Sequence, residues 1–154
     1  MKTNAIRILE EKKIPFRTIE YDYSPDEIDA VSVARKINKS PEEVFKTLVT
    51  KANDNEILVF VIPGNFELNL KKAATVAGKK KVELISVKEI EPLTGYIRGG
   101  TSPIGMKKKY RTYIDETALL FDEISISAGR RGMQILINPS ELAKIIDAIF
   151  CDLT

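Results

Sequence analysis

The chain has 154 residues, 44% of them hydrophobic and 30% charged, and it carries a formal net charge of +2 at pH 7. This length and composition predict one soluble domain, residues 1–154, with a hydrophobic core. The sequence contains no histidine, which excludes an imidazole general base, a histidine metal ligand and the Ser-His or Cys-His nucleophile pair. Cys151 is the single cysteine, which excludes an intramolecular disulfide and a cysteine-rich zinc site and favours a reducing, cytoplasmic location.

The sequence has no segment with the pattern of a signal peptide or a membrane span. Residues 1–7 lack the apolar core and the small-residue cleavage site of a signal peptide. The longest apolar run, residues 57–62, is far too short to cross a bilayer and predicts a buried strand. We therefore expect no membrane partner.

The first part of the chain predicts two helices and one strand. Apolar residues at near-helical spacing over residues 3–13 predict a helix, and alternation over residues 16–21 predicts a strand. Residues 22–29 form a predicted loop, which leads into a second helix over residues 30–37. The sequence Ser-Pro-Glu-Glu at residues 40–43 has the pattern of a capping box with proline in the first turn, so we expect a short helix there.

The middle of the chain predicts a hairpin at the centre of the sheet. Residues 45–51 alternate, residues 56–62 are continuously apolar after Glu56, and an Asn-Asp-Asn turn joins them. A helix over residues 68–77 is followed by a glycine, which is typical of a helix C-terminus. A second capping box, Ser-Val-Lys-Glu at residues 86–89, predicts a short helix that ends near Leu93.

The remaining elements complete an α+β fold. Further strands are predicted over residues 82–85, 110–114, 124–127 and 133–137. Asn138 caps a last helix, whose core-facing residues are predicted to be Leu142, Ile145, Ile146 and Ile149. Cys151 follows at the end of this helix, where we expect a buried and unreactive thiol. Because helices and strands do not alternate regularly, the order predicts a mixed sheet rather than βαβ repetition.

Basic residues are concentrated in the middle of the chain. Residues 71–113 contain 11 basic and 3 acidic side chains, a net charge of +8, whereas the rest of the chain has a net charge of −6. Such a segment is typical of a protein that binds a polyanion, because lysine and arginine neutralise phosphates. A solvated lysine-rich surface explains the same counts, so charge alone indicates a region and not a ligand.

Three segments carry residues that suit a binding site. Residues 94–105 hold four glycines and a proline, which let backbone NH groups approach an oxyanion or a phosphate, although an ordinary connecting loop has the same composition. Lys46 lies among apolar residues of a predicted central strand, so it either reaches the rim of the sheet or contacts an anion. Residues 125–132 join two strands through glycines and paired arginines, which suit a phosphate as well as a hairpin turn.

Four motifs occur in order along the chain: Phe45-Lys46-Thr47-Leu48, Leu68-Asn69-Leu70-Lys71-Lys72-Ala73-Ala74, Thr94-Gly95-Tyr96 with Gly99-Gly100-Thr101-Ser102-Pro103-Ile104-Gly105, and Ser127-Ala128-Gly129-Arg130-Arg131-Gly132. Together they resemble the YbaK/EbsC family of aminoacyl-tRNA deacylases, the free-standing relatives of the editing domain inserted in bacterial prolyl-tRNA synthetases. The stretch from Gly99 to Pro103 is similar to the Gly-x-x-x-Pro substrate loop of that superfamily. The resemblance implies a single α+β domain whose mixed, curved, barrel-like sheet is flanked by helices.

The resemblance also implies an activity, because the family clears tRNA mischarged with cysteine. The expected substrate is Cys-tRNA(Pro), with Cys-tRNA(Cys) as a second one. The expected ligand is the tRNA acceptor end, and the expected protein partner is prolyl-tRNA synthetase. No cofactor, metal or DNA is expected to bind. By the same resemblance, Lys46 holds the acceptor-end phosphate or terminal ribose, and Gly100 offers its backbone NH to the ester carbonyl. The residues implied to bind the substrate are Tyr21, Thr47, Gly99, Thr101, Ser102, Pro103, Ser127 and Arg130. The family commonly has an aromatic residue in the pocket-side loop that here reads Glu27-Ile28-Asp29-Ala30.

A cysteinyl ester brings its own nucleophile, which agrees with the missing histidine. A thiol with a pKa of about 8.5 is a few per cent thiolate near neutral pH. Folded back onto its own ester carbonyl, that sulfur can reach an effective molarity of about 10⁵ M or more. Two alternatives remain open: a deacylase that clears alanine with an activated water, and a non-catalytic RNA-binding or regulatory protein.

Overall fold

The computed structural model describes residues 2–154, in which five α-helices, one 3-10 helix and eight strands form. The helices are α1 (Asn4–Glu11), α2 (Ala30–Lys36), α3 (Leu70–Ala77), α4 (Val87–Thr94) and α5 (Pro139–Ile146), with the 3-10 helix at Glu116–Leu120. The strands are β1 (Arg17–Glu20), β2 (Phe45–Ala52), β3 (Ile57–Pro63), β4 (Val82–Leu84), β5 (Arg111–Asp115), β6 (Ile124–Ser127), β7 (Met133–Ile137) and β8 (Ile149–Cys151). Because each α-helix has only seven or eight residues, packing against the sheets stabilises it more than its own length does.

The strands form two sheets that meet at one bridge. A three-stranded antiparallel sheet has the order β1-β7-β6, and a five-stranded sheet has the order β4-β2-β3-β5-β8. In the larger sheet β2 pairs antiparallel with β3 and β4, whereas β5 pairs in parallel with β3 and β8. A parallel bridge between Val44 and Ser125 joins the two sheets. The predicted α+β class with a mixed sheet is confirmed, but the sheets do not close into a barrel within residues 2–154.

Hydrophobic clusters lie on either side of this junction. The main cluster packs α1 and α5 against the three-stranded sheet and includes the fully buried Leu9, Ile135 and Leu142. A second cluster covers the larger sheet with α3, and in it the Phe60 and Tyr113 rings stack with centroids 5.4 Å apart. A third, smaller cluster holds α2 against Val44, where the two sheets meet.

The predicted helix at residues 40–43 is wrong, because the chain makes a single turn there. The local contacts of a capping box are present: the Ser40 amide donates to the Glu43 carboxylate at 3.2 Å, and the Glu43 amide donates to the Ser40 carbonyl at 3.0 Å. The Glu43 carbonyl accepts a hydrogen bond from the Ser125 amide at 2.8 Å, and Val44 bridges to Ser125 directly afterwards. Pairing between the two sheets therefore ends the turn before a helix can extend.

The predicted C-terminal helix also ends earlier than expected. Helix α5 stops at Ile146 because Asp147 adopts a left-handed conformation, with φ of 51°. The next residues form β8 beside β5, where Ile149 is 58% exposed and Cys151 is half-buried. The predictions that Ile149 faces the core and that Cys151 ends a helix are therefore wrong. A strand of three residues is too short to show an alternating pattern in the sequence.

Candidate functional site

A pocket of about 510 Å³ lies at the junction of the two sheets. Its walls come from the loop that precedes α2, from residues 44–49 on and before β2, from the end of β4, from α4, from the loop at residues 98–101, and from the paired strands β6 and β7. Five of the residues implied by the family resemblance line this pocket: Lys46, Thr47, Gly99, Thr101 and Ser127. The structure thus brings together residues that lie up to 81 positions apart in the chain.

Lys46 presents a partly buried ammonium group to this pocket. It lies on β2 opposite Ile62, and its Nζ is 3.3 Å from the Gly64 carbonyl oxygen, to which it donates. Burial lowers the pKa of Lys46, and the negative charges of Glu67 and Asp29 oppose that shift only in part. Within residues 2–154 no carboxylate lies within 4.0 Å of this ammonium group, so two of its three N–H donors are available to an anion.

Two side chains on the pocket wall have polar groups without a partner in the described part of the chain. The Thr47 hydroxyl oxygen is buried and makes no hydrogen bond. Gln134, 4% exposed, accepts a hydrogen bond from the Ser125 hydroxyl at 2.8 Å, which leaves the NH₂ of its side-chain amide free. Gln134 pairs with Ser127 across β6 and β7, so both side chains lie on the same face of the sheet. A buried polar group without a partner is unfavourable, so the Thr47 hydroxyl indicates a polar ligand. The Gln134 NH₂ group is a second donor on the same pocket wall.

Glycines let the 98–101 loop pack closely against its neighbours. Gly99 has φ of +82°, and a Cβ atom there would lie 2.9 Å from the Ile28 Cβ. A Cβ atom on Gly100 would lie 2.9 Å from the Arg130 Cα and 3.0 Å from the Arg131 nitrogen. Arg131 also donates from Nε to the Arg98 carbonyl oxygen at 2.8 Å. The loop therefore rests directly on the turn between β6 and β7, and larger residues would displace it.

The backbone NH groups of this loop differ in their availability. The Gly100 NH donates to the Ile97 carbonyl at 2.9 Å, so it closes the loop's own turn. The NH groups of Gly99 and Thr101 donate no hydrogen bond within residues 2–154, and both residues line the pocket. Within residues 2–154 the NH groups of Gly99 and Thr101 thus have no acceptor, whereas the Gly100 NH can bind a ligand only if its bond to Ile97 breaks.

The other residues implied to bind substrate, Tyr21, Ser102, Pro103 and Arg130, are not among those that line the pocket. Tyr21 packs beside α2 and donates its amide to Gly132 at 2.9 Å. Ser102 and Pro103 are buried, and the Ser102 hydroxyl accepts a hydrogen bond from the Ile104 amide at 3.2 Å. Arg130 pairs with Glu20 at 3.1 Å. These contacts hold the loop and the β6–β7 turn in place.

Asp29 and Arg98 line the pocket although neither was named individually as a site residue. Asp29 caps α2, accepting from the Ser32 hydroxyl at 2.7 Å and the Ser32 amide at 3.1 Å. The hydrogen bond from the Ser32 hydroxyl lowers the pKa of Asp29, so this carboxylate is ionised near neutral pH. Both of its oxygens already accept hydrogen bonds from Ser32. Arg98 has no carboxylate partner within residues 2–154. The sequence placed Asp29 in the pocket-side loop at residues 27–30 and Arg98 in the glycine-rich segment at residues 94–105, but it gave neither side chain a role of its own.

Cys151 lies outside this pocket. Burial raises the pKa of its thiol to about 11, and the negative charge of Asp115 adds to the shift. A thiol with so high a pKa is a poor nucleophile near neutral pH. Within residues 2–154, no group of three or more acidic, histidine or cysteine side chains is arranged to hold a metal ion, and none of the helices is long and apolar enough to span a bilayer.

Comparison with known proteins gives matches over most of the chain. Residues 25–145 match the aminoacyl-tRNA editing domain family. A protein of Enterococcus faecalis with the provisional name Cys-tRNA(Pro)/Cys-tRNA(Cys) deacylase EbsC is 46% identical over 153 residues, which cover 99% of this chain and 93% of that protein. A proline–tRNA ligase of Brachyspira hyodysenteriae is 29% identical over 101 residues, which cover 66% of this chain but only 18% of the ligase.

Solved structures show the same fold at low sequence identity. A provisionally named trans-editing enzyme for prolyl-tRNA synthetase superposes with a TM-score of 0.85 at 23% identity, covering 100% of this chain and 98% of that one. A hypothetical protein, APE2540, superposes with a TM-score of 0.89 at 24% identity, covering 98% and 99% of the two chains. The fold of this chain is therefore shared by known structures.

Proposed function

The chain belongs to the aminoacyl-tRNA editing domain family, and from this premise we propose that residues 1–154 form one deacylase domain that removes cysteine from Cys-tRNA(Pro). Cys-tRNA(Cys) is the proposed second substrate, since the name of the Enterococcus faecalis relative includes it. The observation that carries the proposal is a pocket rich in free hydrogen-bond donors and lined by two cations, Lys46 and Arg98, in a chain without histidine. Such a pocket suits an ester that carries its own nucleophile.

Lys46 is the proposed anchor for the acceptor end. In the described part of the chain its ammonium group donates to the Gly64 carbonyl alone, so its remaining donors can bind the terminal phosphate or the ribose. The Thr47 hydroxyl and the NH₂ of the Gln134 amide have no hydrogen-bond partner among residues 2–154, and we assign them to the aminoacyl-adenosine. Ser127 lies beside Gln134 on the same wall. Tyr21, Ser102, Pro103 and Arg130 support these groups from behind.

The proposed reaction is attack by the substrate's thiolate on its own ester carbonyl. The C–S bond forms and gives a tetrahedral oxyanion; then the C–O bond to the ribose breaks, and the proton lost by the thiol ends on the ribose oxygen. The products are uncharged tRNA and a cysteine thiolactone, which water hydrolyses to cysteine. One well-placed donor to the oxyanion contributes about 10²-fold or more, and the NH groups of Gly99 and Thr101 are the available donors. Gly100 keeps its proposed role only if its bond to Ile97 opens.

Neither Asp29 nor Cys151 is needed for this chemistry. Asp29 is held by Ser32 as a helix cap, and the Cys151 thiol stays protonated near neutral pH. Proline–tRNA ligase is the proposed protein partner, because such ligases contain a segment related to this chain. The single cysteine supports a reducing, cytoplasmic setting as part of the proposal.

Deacylation rates on three forms of tRNA(Pro) test the proposed function. We expect rapid release from Cys-tRNA(Pro) and little from Ser-tRNA(Pro) or Ala-tRNA(Pro), because a hydroxyl is far less ionised than a thiol and a methyl group has no nucleophile. Comparable rates on the cysteinyl and seryl esters would contradict the thiol mechanism. Release of alanine but not cysteine would favour attack by water, and no release from any ester would favour a non-catalytic RNA-binding protein.

A further inference from the structure

The pocket at the junction of the two sheets lies along one edge of strand β2. Residues 45–49, which follow one another on this strand, all line the pocket. Because successive side chains of a strand point to opposite faces, such an unbroken run places the pocket against the edge of β2 rather than against one of its faces. The other edge pairs with β3 over residues 45–51. The pocket therefore occupies the edge of β2 that faces away from β3.

Two other strands cover this edge of β2 only at its ends. Strand β4 pairs with residues 50–52, and an isolated bridge joins Val44 to Ser125 of β6. The Ile85 amide, directly after β4, donates to the Val49 carbonyl at 3.2 Å. Within residues 2–154, no strand residue pairs with residues 46–48 from this side. Strands β4 and β6 thus leave a gap along the edge of β2, and the pocket lies in this gap.

The alternation of hydrogen bonds shows which backbone groups of β2 face the gap. In an antiparallel pair, every second residue exchanges hydrogen bonds with the partner strand. The Ala52 amide donates to the Glu56 carbonyl at 2.8 Å, and the register with β3 is unbroken from there to residue 45. Residues 46, 48 and 50 therefore bond to β3, whereas Thr47 and Val49 direct their NH and C=O groups toward the gap. The Val49 NH donates nothing to Ile85 in return, so the Thr47 C=O and the Val49 NH have no strand partner within residues 2–154.

These two backbone groups match the hydrogen-bonding pattern of adenine. The Thr47 C=O is an acceptor and the Val49 NH is a donor, two residues apart on one strand edge. Adenine presents the complementary pair on its Watson–Crick edge, because its N6 amino group donates and its N1 accepts. Hypoxanthine, the base of inosine, presents the reverse pair, an O6 acceptor and an N1–H donor. Cytosine resembles adenine in this respect, but the ester of the proposed substrate is on adenosine.

Apolar side chains lie at the Val49 end of the gap. Leu84 is the last residue of β4, Ile85 follows it, and both line the pocket. Leu84 is 56% exposed, although it is a large apolar residue. Enzymes that bind a nucleobase outside a helix pack its flat faces against apolar or aromatic side chains. A base bound at the edge of β2 would cover Leu84.

We propose that the open edge of β2 binds the terminal adenine of the tRNA: N6 donates to the Thr47 C=O, and the Val49 NH donates to N1. The inference rests on the proposed function, which places the acceptor end beside Lys46. The Lys46 ammonium group donates to the Gly64 carbonyl, and the Gly64 amide donates to the Val44 carbonyl at 2.7 Å, so this cation lies toward the bridged end of the gap. Val49 is three residues further along β2, about 10 Å away, a span that one nucleotide covers from phosphate to base.

Exchange of the terminal base tests the hydrogen bonds directly. The wild-type protein is assayed on 3′-cysteinyl esters of three trinucleotides that end in adenosine, inosine or 7-deazaadenosine. We expect the inosine ester to lose about 10²-fold in kcat/KM, because both hydrogen bonds are lost and like groups face each other. The 7-deazaadenosine ester is the control: it keeps N6 and N1 and should match the adenosine ester.

A pair of exposed leucines tests the apolar contact without risk to the core. Leu84→Ser should lower kcat/KM on the adenosine ester about fivefold, since an apolar surface that the base covers is lost. Leu120→Ser is the matched control, because Leu120 is 78% exposed and lies outside the pocket lining. It should match wild type. Equal rates in the two variants would overturn the apolar contact.

A binding measurement gives a readout that needs no turnover. In ¹H–¹⁵N NMR spectra of the wild type, the uncharged trinucleotide CCA should shift the Val49 amide proton downfield, and the inosine-ended trinucleotide should not. An unshifted Val49 resonance, equal rates on the adenosine and inosine esters, or an equal loss on the 7-deazaadenosine ester would each overturn the inference. A wild type that releases cysteine from none of the esters would instead refute the proposed function, and the Val49 resonance would still decide whether the edge binds adenine.

Discussion

A buried hydroxyl without a hydrogen-bond partner is unfavourable in a folded protein, and Thr47 carries one on the pocket wall. Thr50, three residues later on β2, shows the usual arrangement, because its buried hydroxyl donates to the Leu58 carbonyl at 2.9 Å. The difference between the two threonines is explained if substrate supplies the missing partner of Thr47. A buried polar group whose hydrogen-bond partner is supplied only by the ligand lowers the stability of the ligand-free protein.

The nearly isosteric change Thr47→Val should therefore raise stability and lower activity. We expect the free energy of unfolding to rise by about 1 kcal/mol, because a buried polar group without a partner is removed. Losing one hydrogen bond to substrate should reduce kcat/KM on Cys-tRNA(Pro) about 3- to 10-fold. Urea denaturation and deacylation assays measure the two effects. Thr50→Val is the matched control, which should lower the free energy of unfolding and leave activity unchanged. A Thr47→Val protein that is also less stable and fully active would refute this account.

Lys46 should limit activity at high pH. Burial lowers the pKa of Lys46, so its positive charge is lost as pH rises before an ordinary lysine would lose it. In the wild type, kcat/KM should rise with pH as the substrate thiol ionises and then fall as Lys46 loses its proton. Lys46→Arg keeps the charge, so its profile should lack the fall. Rates are measured from pH 6 to pH 10 after subtraction of spontaneous hydrolysis, and a fall at the same pH in both proteins would contradict the role of Lys46.

At the scale of elements, the site depends on the contact between the 98–101 loop and the β6–β7 turn. Gly100 approaches the backbone of Arg130 and Arg131 so closely that a methyl group would sit 2.9 Å from the Arg130 Cα. The same loop carries the free NH groups of Gly99 and Thr101. A change that separates the two elements should therefore move the proposed oxyanion donors.

Gly100→Ala tests this contact. We expect a loss of about 1–3 kcal/mol in the free energy of unfolding, since the backbone must shift, and a lower Tm by several degrees. Activity on Cys-tRNA(Pro) should fall about 10²-fold, because a small displacement of catalytic groups has a large effect. Gly78→Ala is the control. Its φ of +71° makes the change destabilising, but an added Cβ atom would meet no described residue other than its chain neighbours within 4 Å. Gly78 is outside the pocket lining, so activity should remain. Full activity in Gly100→Ala would disprove the proposed placement.

Two capping boxes with the same local contacts show where prediction from sequence fails. Ser86 donates to Glu89 at 3.0 Å and a helix follows, as predicted; Ser40 donates to Glu43 at 3.2 Å and no helix follows. Residues 40–43 form no helix because the Ser125 amide, 82 residues away, donates to the Glu43 carbonyl and pairs this segment with the sheet. Strands β6 and β7 were predicted correctly because their isoleucine-rich segments and the glycine turn between them are local signals.

The candidate site was predictable to a similar extent. Lys46, Thr47 and the glycine loop were found because each lies in a recognisable motif, and the structure brings them to one pocket. Gln134 was missed because a single glutamine in a strand has many explanations. The availability of each NH group could not be predicted either, since it depends on how the loop turns: the Gly100 NH bonds to Ile97, whereas that of Thr101 is free.

Across the whole molecule, an ion-pair network joins distant parts of the larger sheet. Glu56, at the turn between β2 and β3, lies 2.8 Å from Arg111 on β5 and 2.7 Å from Lys79 after α3. These partners lower the pKa of Glu56 to about 2, with the Arg111 hydrogen bond as the largest cause. A carboxylate with a lowered pKa stabilises the fold above the pKa of the unfolded chain, about 4.3, and that contribution is lost as pH falls toward 2.

Glu56→Gln should remove this contribution. We expect the Tm at pH 7 to fall by about 2–3 °C, a modest effect because solvent screens this partly exposed network. The difference in Tm from wild type should shrink between pH 4.5 and pH 2. Glu42→Gln, which changes a carboxylate that forms no ion pair within residues 2–154, should show no such pH-dependent difference. Thermal unfolding at several pH values measures both. A gap between Glu56→Gln and wild type that stays constant down to pH 2 would contradict the network's role.

The central claim is that the substrate's own sulfur attacks the ester. Single-turnover reactions of wild-type protein with Cys-tRNA(Pro), quenched in acid and followed by mass spectrometry, identify the first product released. The proposed reaction predicts that cysteine thiolactone appears first and that free cysteine follows as the thiolactone hydrolyses. S-methylcysteinyl-tRNA(Pro), whose sulfur cannot form a thiolate, should not be deacylated. Free cysteine as the first product, or rapid release from the S-methylated ester, would show that water attacks the ester directly.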